Sequence, residues 1–258
     1  MSEYSQYEFR FGGEREGITF VVHSLILVNV CIFALQLLLD IPFGDWKVAE
    51  PPGGIFLTDW VVFNPKFFLD GLVWTPLTYM FLHANLMHIF GNMLMLYFFG
   101  PEIERVLGSR QFLRFFLLCG AVGVLVNLIP HALTGGGFSP LVAGASGATL
   151  GVLVAFAMVE PDRRVFIFPI PIPVTSRMLV MFIIFLNLIT AVLGGRGMSV
   201  ETHLGGMAVA YLYMKWRPVY LRAQWKKRGK QSEPPAESDE DEMAKAIDNI
   251  FDFKNRNR

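Results

Sequence analysis

Five side chains in this sequence have the types and spacing to carry chemistry: His83, His88, Asn92, Ser146 and His203. Ser146 stands in Gly144-Ala145-Ser146-Gly147, with Gly151 following shortly after. A hydroxyl at the start of a helix meets free N–H groups and the positive end of the helix dipole, where a developing anion is stabilised. Serine is a weak nucleophile until a base takes its proton, and an imidazole that titrates near neutrality suits that task. His203, followed by Leu204-Gly205-Gly206, is the candidate base. His88 and Asn92 lie four apart, share one side of a helix and can both donate hydrogen bonds to an oxyanion. His83, five residues before His88, is expected to point away from it. That spacing argues against a zinc pair, no His-Glu-x-x-His run occurs, and no metal is expected. His23 and His131 have no comparable company.

Taken singly, each signal has a plainer explanation. Gly147 and Gly151, four apart, make a small-residue face for helix packing in a membrane. His88 and Asn92 can act as polar glue between helices, and a histidine at the end of a span is often merely interfacial. The balance depends on where the surrounding elements put these residues.

Of the 258 residues, 53% are hydrophobic and 17% charged, too apolar for an ordinary soluble domain. The apolar residues fall in blocks near the length of about 20 that crosses a bilayer core. Six blocks can be drawn, at residues 18–39, 77–99, 112–129, 143–159, 177–193 and 203–220. The formal net charge of +0 gives no global argument for nucleic acid, and Cys31 and Cys119 both sit inside apolar blocks, which offers no disulfide framework. The expected fold is an all-α polytopic membrane protein. Residues 1–17 form a cytoplasmic N-terminus, 18–220 a six-span bundle, and 221–258 a tail, basic then acidic, read as mostly disordered. A short tail helix with Met243, Ile247, Ile250 and Phe251 on one face is the alternative there.

Lys and Arg bias sets the orientation. With the N-terminus inside, the inner segments hold Arg10, Arg15, Arg105, Arg110, Arg114, Arg163, Arg164, Arg177 and the basic run from Lys215 to Lys230. The outer loops hold only Lys47, Lys66 and Arg196. Both termini are therefore expected in the cytoplasm. The outer loop after the first block repeats Trp and Phe, from Trp46 to Trp74, and is expected to lie partly in the outer leaflet. In this topology blocks two, four and six all enter from the outer face, so His83, His88, Ser146 and His203 fall at similar depth. Close packing of the fourth and sixth helices through Gly147, Gly151, Gly206 and Ala210 would bring Ser146 to His203.

With these residues in order, the chain resembles the rhomboid family of intramembrane serine proteases, over about Trp74 to Leu212. The matching motifs are Thr78-Tyr79-Met80-Phe81-Leu82-His83 with His88 and Asn92, Gly100-Pro101-Glu102 to Leu107-Gly108-Ser109, Gly144-Ala145-Ser146-Gly147, and His203-Leu204-Gly205-Gly206. The resemblance implies a six-helix core with Ser146 as nucleophile and His203 as general base, a dyad lacking an acidic third member. It further implies an oxyanion site of His88, Asn92 and the Ser146 N–H, with His83, Gly144, Gly147, Gly151 and Gly206 as supporting positions. Glu104 and Arg105 are expected to tie the inner loop, and Phe168-Pro169-Ile170-Pro171-Ile172-Pro173 resembles the family's link between helices four and five. No cofactor is implied. Three departures stand out: Leu150 where an aromatic often packs on the catalytic imidazole, Thr202 where Ala commonly precedes the histidine, and Thr75 after Trp74.

The expected activity is endoproteolysis of transmembrane protein substrates near the outer face, within the lipid bilayer. Helix-weakening Gly or Pro near the scissile bond should favour a substrate, because a helical peptide bond hides its carbonyl in the backbone ladder. Helix five and the outer loops, with Gly135-Gly136-Gly137 and Gly194-Gly195 as hinges, are the expected gate and cap. The alternative is a non-proteolytic scaffold that binds transmembrane helices; it has no need of both Ser146 and His203. A transporter is disfavoured, because neither internal repeats nor intramembrane charges are found. A short, Glu-containing N-terminus argues for a bacterial-type cytoplasmic membrane as the location.

Overall fold

The computed structural model describes residues 17–40, 57–167, 170–193 and 199–228. In chain order the elements are α1 (Phe20–Asp40), α2 (Leu57–Val61), α3 (Pro65–Leu69), α4 (Thr75–Thr78), a 3-10 turn (Tyr79–Phe81), α5 (Leu86–Leu107), α6 (Ser109–Leu125) and α7 (Leu128–Leu133). There follow α8 (Ser146–Val159), strands β1 (Arg164–Ile167) and β2 (Ile170–Thr175), α9 (Ser176–Val192) and α10 (Val200–Arg228). The segments Phe20–Leu39 and Ser109–Leu133 are long and apolar enough to cross a membrane, and α8 and α9 are shorter apolar helices. Large apolar side chains face outward on α1 (Phe20, Leu27, Leu38) and α9 (Met181, Phe182, Phe185), as a lipid-facing surface requires. The N-terminal segment, most of the tail and the hinge Gly194-Gly195 lie outside the described residues.

The bundle is organised around α8. Every residue from 147 to 157 is buried, and the helix packs against α5, α6, α9 and α10. A helix apolar on all sides belongs in an interior, which fits its run of Gly, Ala, Val and Leu. Of the short helices between α1 and α5, α2 packs on α1 and α4 on α6. Phe63 and Val142 exchange backbone hydrogen bonds of 3.1 and 2.8 Å, and Asn64 donates through Nδ2 to the Ser139 carbonyl at 2.8 Å. These contacts fasten the segment leading into Ser146.

Two expectations are corrected. The second helix begins at Leu86, well after residue 77, because Asn85 adopts an extended backbone and its side chain accepts the His88 N–H at 2.8 Å. Residues 75–81 form separate turns, so His83 lies in the extended link and not on the helix that carries His88 and Asn92. The chain is also not wholly helical. The proline-rich link forms an antiparallel hairpin with Arg164 opposite Thr175, Val165 opposite Val174 and Phe166 opposite Pro173. Both strands of a two-stranded hairpin have an unpaired edge, so proline's missing N–H is tolerated there while Ile and Val favour the extended backbone.

Glu104, 3% exposed, holds the start of α1 against the end of α5. Its carboxylate accepts the backbone N–H groups of Val21 (3.2 Å) and Val22 (2.9 Å), the Thr19 hydroxyl, and the Ser109 hydroxyl at 2.6 Å. The first N–H groups of a helix have no partner within it, and a carboxylate from elsewhere supplies one. Arg105 donates to the Gly17 carbonyl at 2.7 Å beside this junction. The Ser109 bond lies in the inner loop, where the tie was expected; the same carboxylate also reaches the first helix, more than 80 residues earlier. Glu104→Ala strands four donors and is expected to cost about 3 kcal/mol, read as a lower midpoint of denaturant unfolding in detergent.

Candidate active site

Three glycine-mediated contacts set the positions of the polar residues. A methyl group added at Gly206 of α10 would lie 2.2 Å from the Gly147 carbonyl oxygen on α8. One added at Gly205 would lie 2.7 Å from the Gly123 carbonyl oxygen on α6, and one at Gly151 would lie 3.0 Å from Cys119 Cβ and Sγ. Backbones can approach this closely only where no Cβ intervenes. The approach of α10 to α8 leaves His203, on the first turn of α10, beside Ser146, the first residue of α8. His203 Nε2 and Ser146 Oγ are 2.7 Å apart.

On the far side of the imidazole, His203 Nδ1 is 2.9 Å from Asn187 Oδ1 on α9. A carbonyl oxygen only accepts, so this contact puts the proton of the neutral ring on Nδ1 and leaves the Nε2 lone pair for the Ser146 hydroxyl. Asn187 is a functional candidate that sequence reading passed over. Its signal was present, a strongly polar side chain in an otherwise apolar block, the same criterion that singled out Asn92.

His88 and Asn92 flank Ser146 from α5. Gly144 has φ of +116°, and a methyl group there would lie 2.6 Å from His88 Nε2, so only glycine lets the His88 ring lie against the chain entering Ser146. The Gly144 N–H donates to the Tyr79 carbonyl at 2.9 Å, which anchors that approach. His88 Nδ1 takes the Ala84 N–H at 3.4 Å, leaving Nε2 as the proton-bearing nitrogen of the neutral ring. Asn92 is 5% exposed; its Oδ1 accepts from Thr149 Oγ1 at 3.1 Å, and its Nδ2 has no partner among the described residues. A buried, unpaired amide donor is costly in a finished structure and useful where an anion forms. Thr149, also unremarked in the sequence, orients that amide.

The remaining candidates are sorted plainly by the structure. The His83 ring does not point away from His88: the centroids are 5.2 Å apart, edge to face. The helix break at Asn85 turns it inward, where it is fully buried with both ring nitrogens unpartnered among the described residues. Its backbone is held at both ends by Gln36, which accepts the His83 N–H at 3.2 Å and donates to its carbonyl at 3.0 Å. Glu104 belongs to the α1–α5 junction. Thr202 accepts from Asn127 Nδ2 at 2.8 Å and bonds Ser199 Oγ at 2.6 Å, so the departure from Ala ties the start of α10 to the end of α6. Among the described residues no cluster of three or more His, Cys, Asp or Glu is placed to hold a metal.

The family model for the Rhomboid domain matches residues 70–217. RHOMBOID-like protein 12, mitochondrial, of Arabidopsis thaliana is 31% identical over 181 residues, covering 61% of this chain and 53% of that protein. The human presenilin-associated rhomboid-like protein, mitochondrial, is 30% identical over 149 residues, covering 57% of this chain and 38% of that protein. Rhomboid protein 1, mitochondrial, of Saccharomyces cerevisiae is 24% identical over 193 residues, covering 75% and 52% respectively. The chain spans about half or less of the length of these curated relatives. Their mitochondrial descriptions overturn the expectation of a bacterial-type cytoplasmic membrane. That expectation rested on the appearance of the N-terminus, which carries no such information in a chain that covers only part of its relatives.

The α8–α10 contact gives a direct prediction. Gly206→Ala forces the two backbones apart, at about 1 to 3 kcal/mol of overpacking. It is expected to lower the unfolding temperature and to slow labelling of Ser146 by a small fluorophosphonate by about 100-fold, because reacting groups displaced by 1 Å lose that much.

Proposed function

The chain belongs to the rhomboid family, and we propose that it is an intramembrane serine endopeptidase acting on transmembrane proteins through Ser146 and His203. The observation that carries this reading is the 2.7 Å contact between His203 Nε2 and Ser146 Oγ, made at the start of a buried helix. A binding scaffold needs no such pair.

In this mechanism His203 Nε2 accepts the Ser146 proton as Oγ attacks the substrate carbonyl carbon. The electron pair of the C=O bond moves to oxygen. The resulting oxyanion takes hydrogen bonds from Asn92 Nδ2, His88 Nε2–H and the N–H groups of the first turn of α8, where Ala145 provides no side-chain cap. The imidazolium then protonates the leaving amine, giving an acyl-enzyme. Water, deprotonated by His203, attacks the ester carbonyl and releases the second product. No cofactor enters.

In this reading α1, α5, α6, α8, α9 and α10 cross the membrane with both termini on the Lys/Arg-rich side, and the site lies near the opposite face. The substrate helix enters from the lipid with a locally unwound stretch, past α9, whose outward Met181, Phe182 and Phe185 meet the bilayer. The names of the relatives favour a mitochondrial membrane as the host. In detergent with a tagged single-span substrate, Ser146→Ala and His203→Ala are each expected to abolish cleavage while the protein remains folded. His88→Ala or Asn92→Ala should lower kcat by about 100- to 1,000-fold with smaller changes in KM. Cleavage that survives Ser146→Ala refutes the reading, and capture of uncut substrates by the wild type replaces it with the scaffold.

A further inference from the structure

The third side chain in line with Ser146 and His203 lies on a different helix and is neither acidic nor aromatic. Asn187 is 2% exposed and stands on the face of α9 that also carries Leu179 and Ile183, which pack against the core. Among the described residues of α9, only Ser176, at its first position, is also fully buried. A strongly polar side chain at that depth is costly unless it is partnered. Both ends of its amide are partnered. Nδ2 donates to the Ile183 carbonyl one turn back at 2.8 Å, and Oδ1 faces His203 Nδ1 at 2.9 Å. The first bond settles the second: with nitrogen turned to a backbone carbonyl, only oxygen can face the imidazole. Leu150, where the family often places an aromatic on the imidazole, cannot form a hydrogen bond to the ring.

We propose that Asn187 is a positioning residue that completes a Ser146–His203–Asn187 relay, holding the imidazole in its Nδ1–H tautomer from α9. The inference rests on the assignment of Ser146 and His203 as the reacting pair. Asn187 touches neither substrate nor the serine; it acts through His203. When Nε2 takes the Ser146 proton, the Nδ1–H donor becomes cationic and its bond to Oδ1 strengthens, so the acceptor steadies the ring as charge develops. Because the acceptor is neutral, no second proton moves. The acceptor belongs to α9 and the serine to α8, so the base is fully oriented only while α9 is seated against α10.

The test compares the wild-type protein with Asn187→Leu and Asn187→Asp. Leucine removes the acceptor at similar volume, and aspartate keeps an oxygen acceptor of the same reach. With a tagged single-span substrate, Asn187→Leu should lower kcat by about 100-fold with KM within about twofold, and Asn187→Asp should retain at least about a tenth of the wild-type kcat. Nitrogen NMR of 15N-histidine-labelled protein, with His203 assigned by its loss in His203→Ala, should show protonated Nδ1 and bare Nε2 in the wild type. In Asn187→Leu it should show a mixture of tautomers. Wild-type kcat in Asn187→Leu, a change confined to KM, or a wild-type His203 protonated on Nε2 would each overturn the proposal. The wild-type tautomer is read without any substrate and does not depend on Asn187→Leu folding. Cleavage lost in Ser146→Ala but untouched in Asn187→Leu defeats this inference alone, whereas cleavage that survives Ser146→Ala defeats the assignment beneath it.

Discussion

Everything in this structure depends on how closely two helices are allowed to touch. The carbonyl of Gly147 and the α-carbon of Gly206 meet without a side chain between them, and that contact sets the separation of α8 and α10. Ser146 and His203 sit just outside the contact on the two helices, so the distance between their side chains follows from a backbone packing distance. In lipid there is little hydrophobic drive to press helices together, and packing and interhelical hydrogen bonds must supply it. The glycines at 123, 147, 151, 205 and 206 supply the packing, and Asn127, Ser199 and Thr202 supply hydrogen bonds at the same junction.

A second theme is the unequal treatment of buried polar groups. Gln36, Asn127 and Glu104 are bonded to backbone or side chains that link distant parts of the chain. Among the described residues Asn92 keeps an unpartnered donor, and the His83 ring keeps two unpartnered nitrogens. The satisfied groups hold helices together; the unpartnered ones also include Asn29 Oδ1 on α1 and both carboxylate oxygens of Asp59 on α2, among the described residues, so an open hydrogen bond alone does not mark the site.

Much of this could be read from the chain. Gly144-Ala145-Ser146-Gly147 and His203-Leu204-Gly205-Gly206 each combine a reactive side chain with the small residues that let it approach a partner, so packing and chemistry point the same way. His83 was misread because five-residue spacing was projected onto a helix that starts only at Leu86. The signal for that boundary, Asn85 acting as cap, is weak beside the apolar run around it. The hairpin after α8 was hidden because prolines in a link say what the chain avoids and not what it forms. Asn187 escaped because a single asparagine among Ile, Leu and Phe looks incidental until the His203 ring is placed against it. The α1 partners of Glu104 were beyond reach of any local pattern, being more than 80 residues away.

That last junction has a consequence for how the bundle meets its surroundings. At the same end, Arg163 pairs with Glu102 at 3.2 Å and Arg177 with Asp162 at 2.7 Å, the latter pair with more than half of each side chain in solvent. Mobile ions weaken such pairs as ionic strength rises. Glu104 is held by hydroxyl and amide dipoles in a site closed to solvent, where mobile ions have no access to the charge. The rim of the bundle is therefore salt-sensitive and its seam is not, so the first helix stays docked across changes in electrolyte that loosen the loops around it.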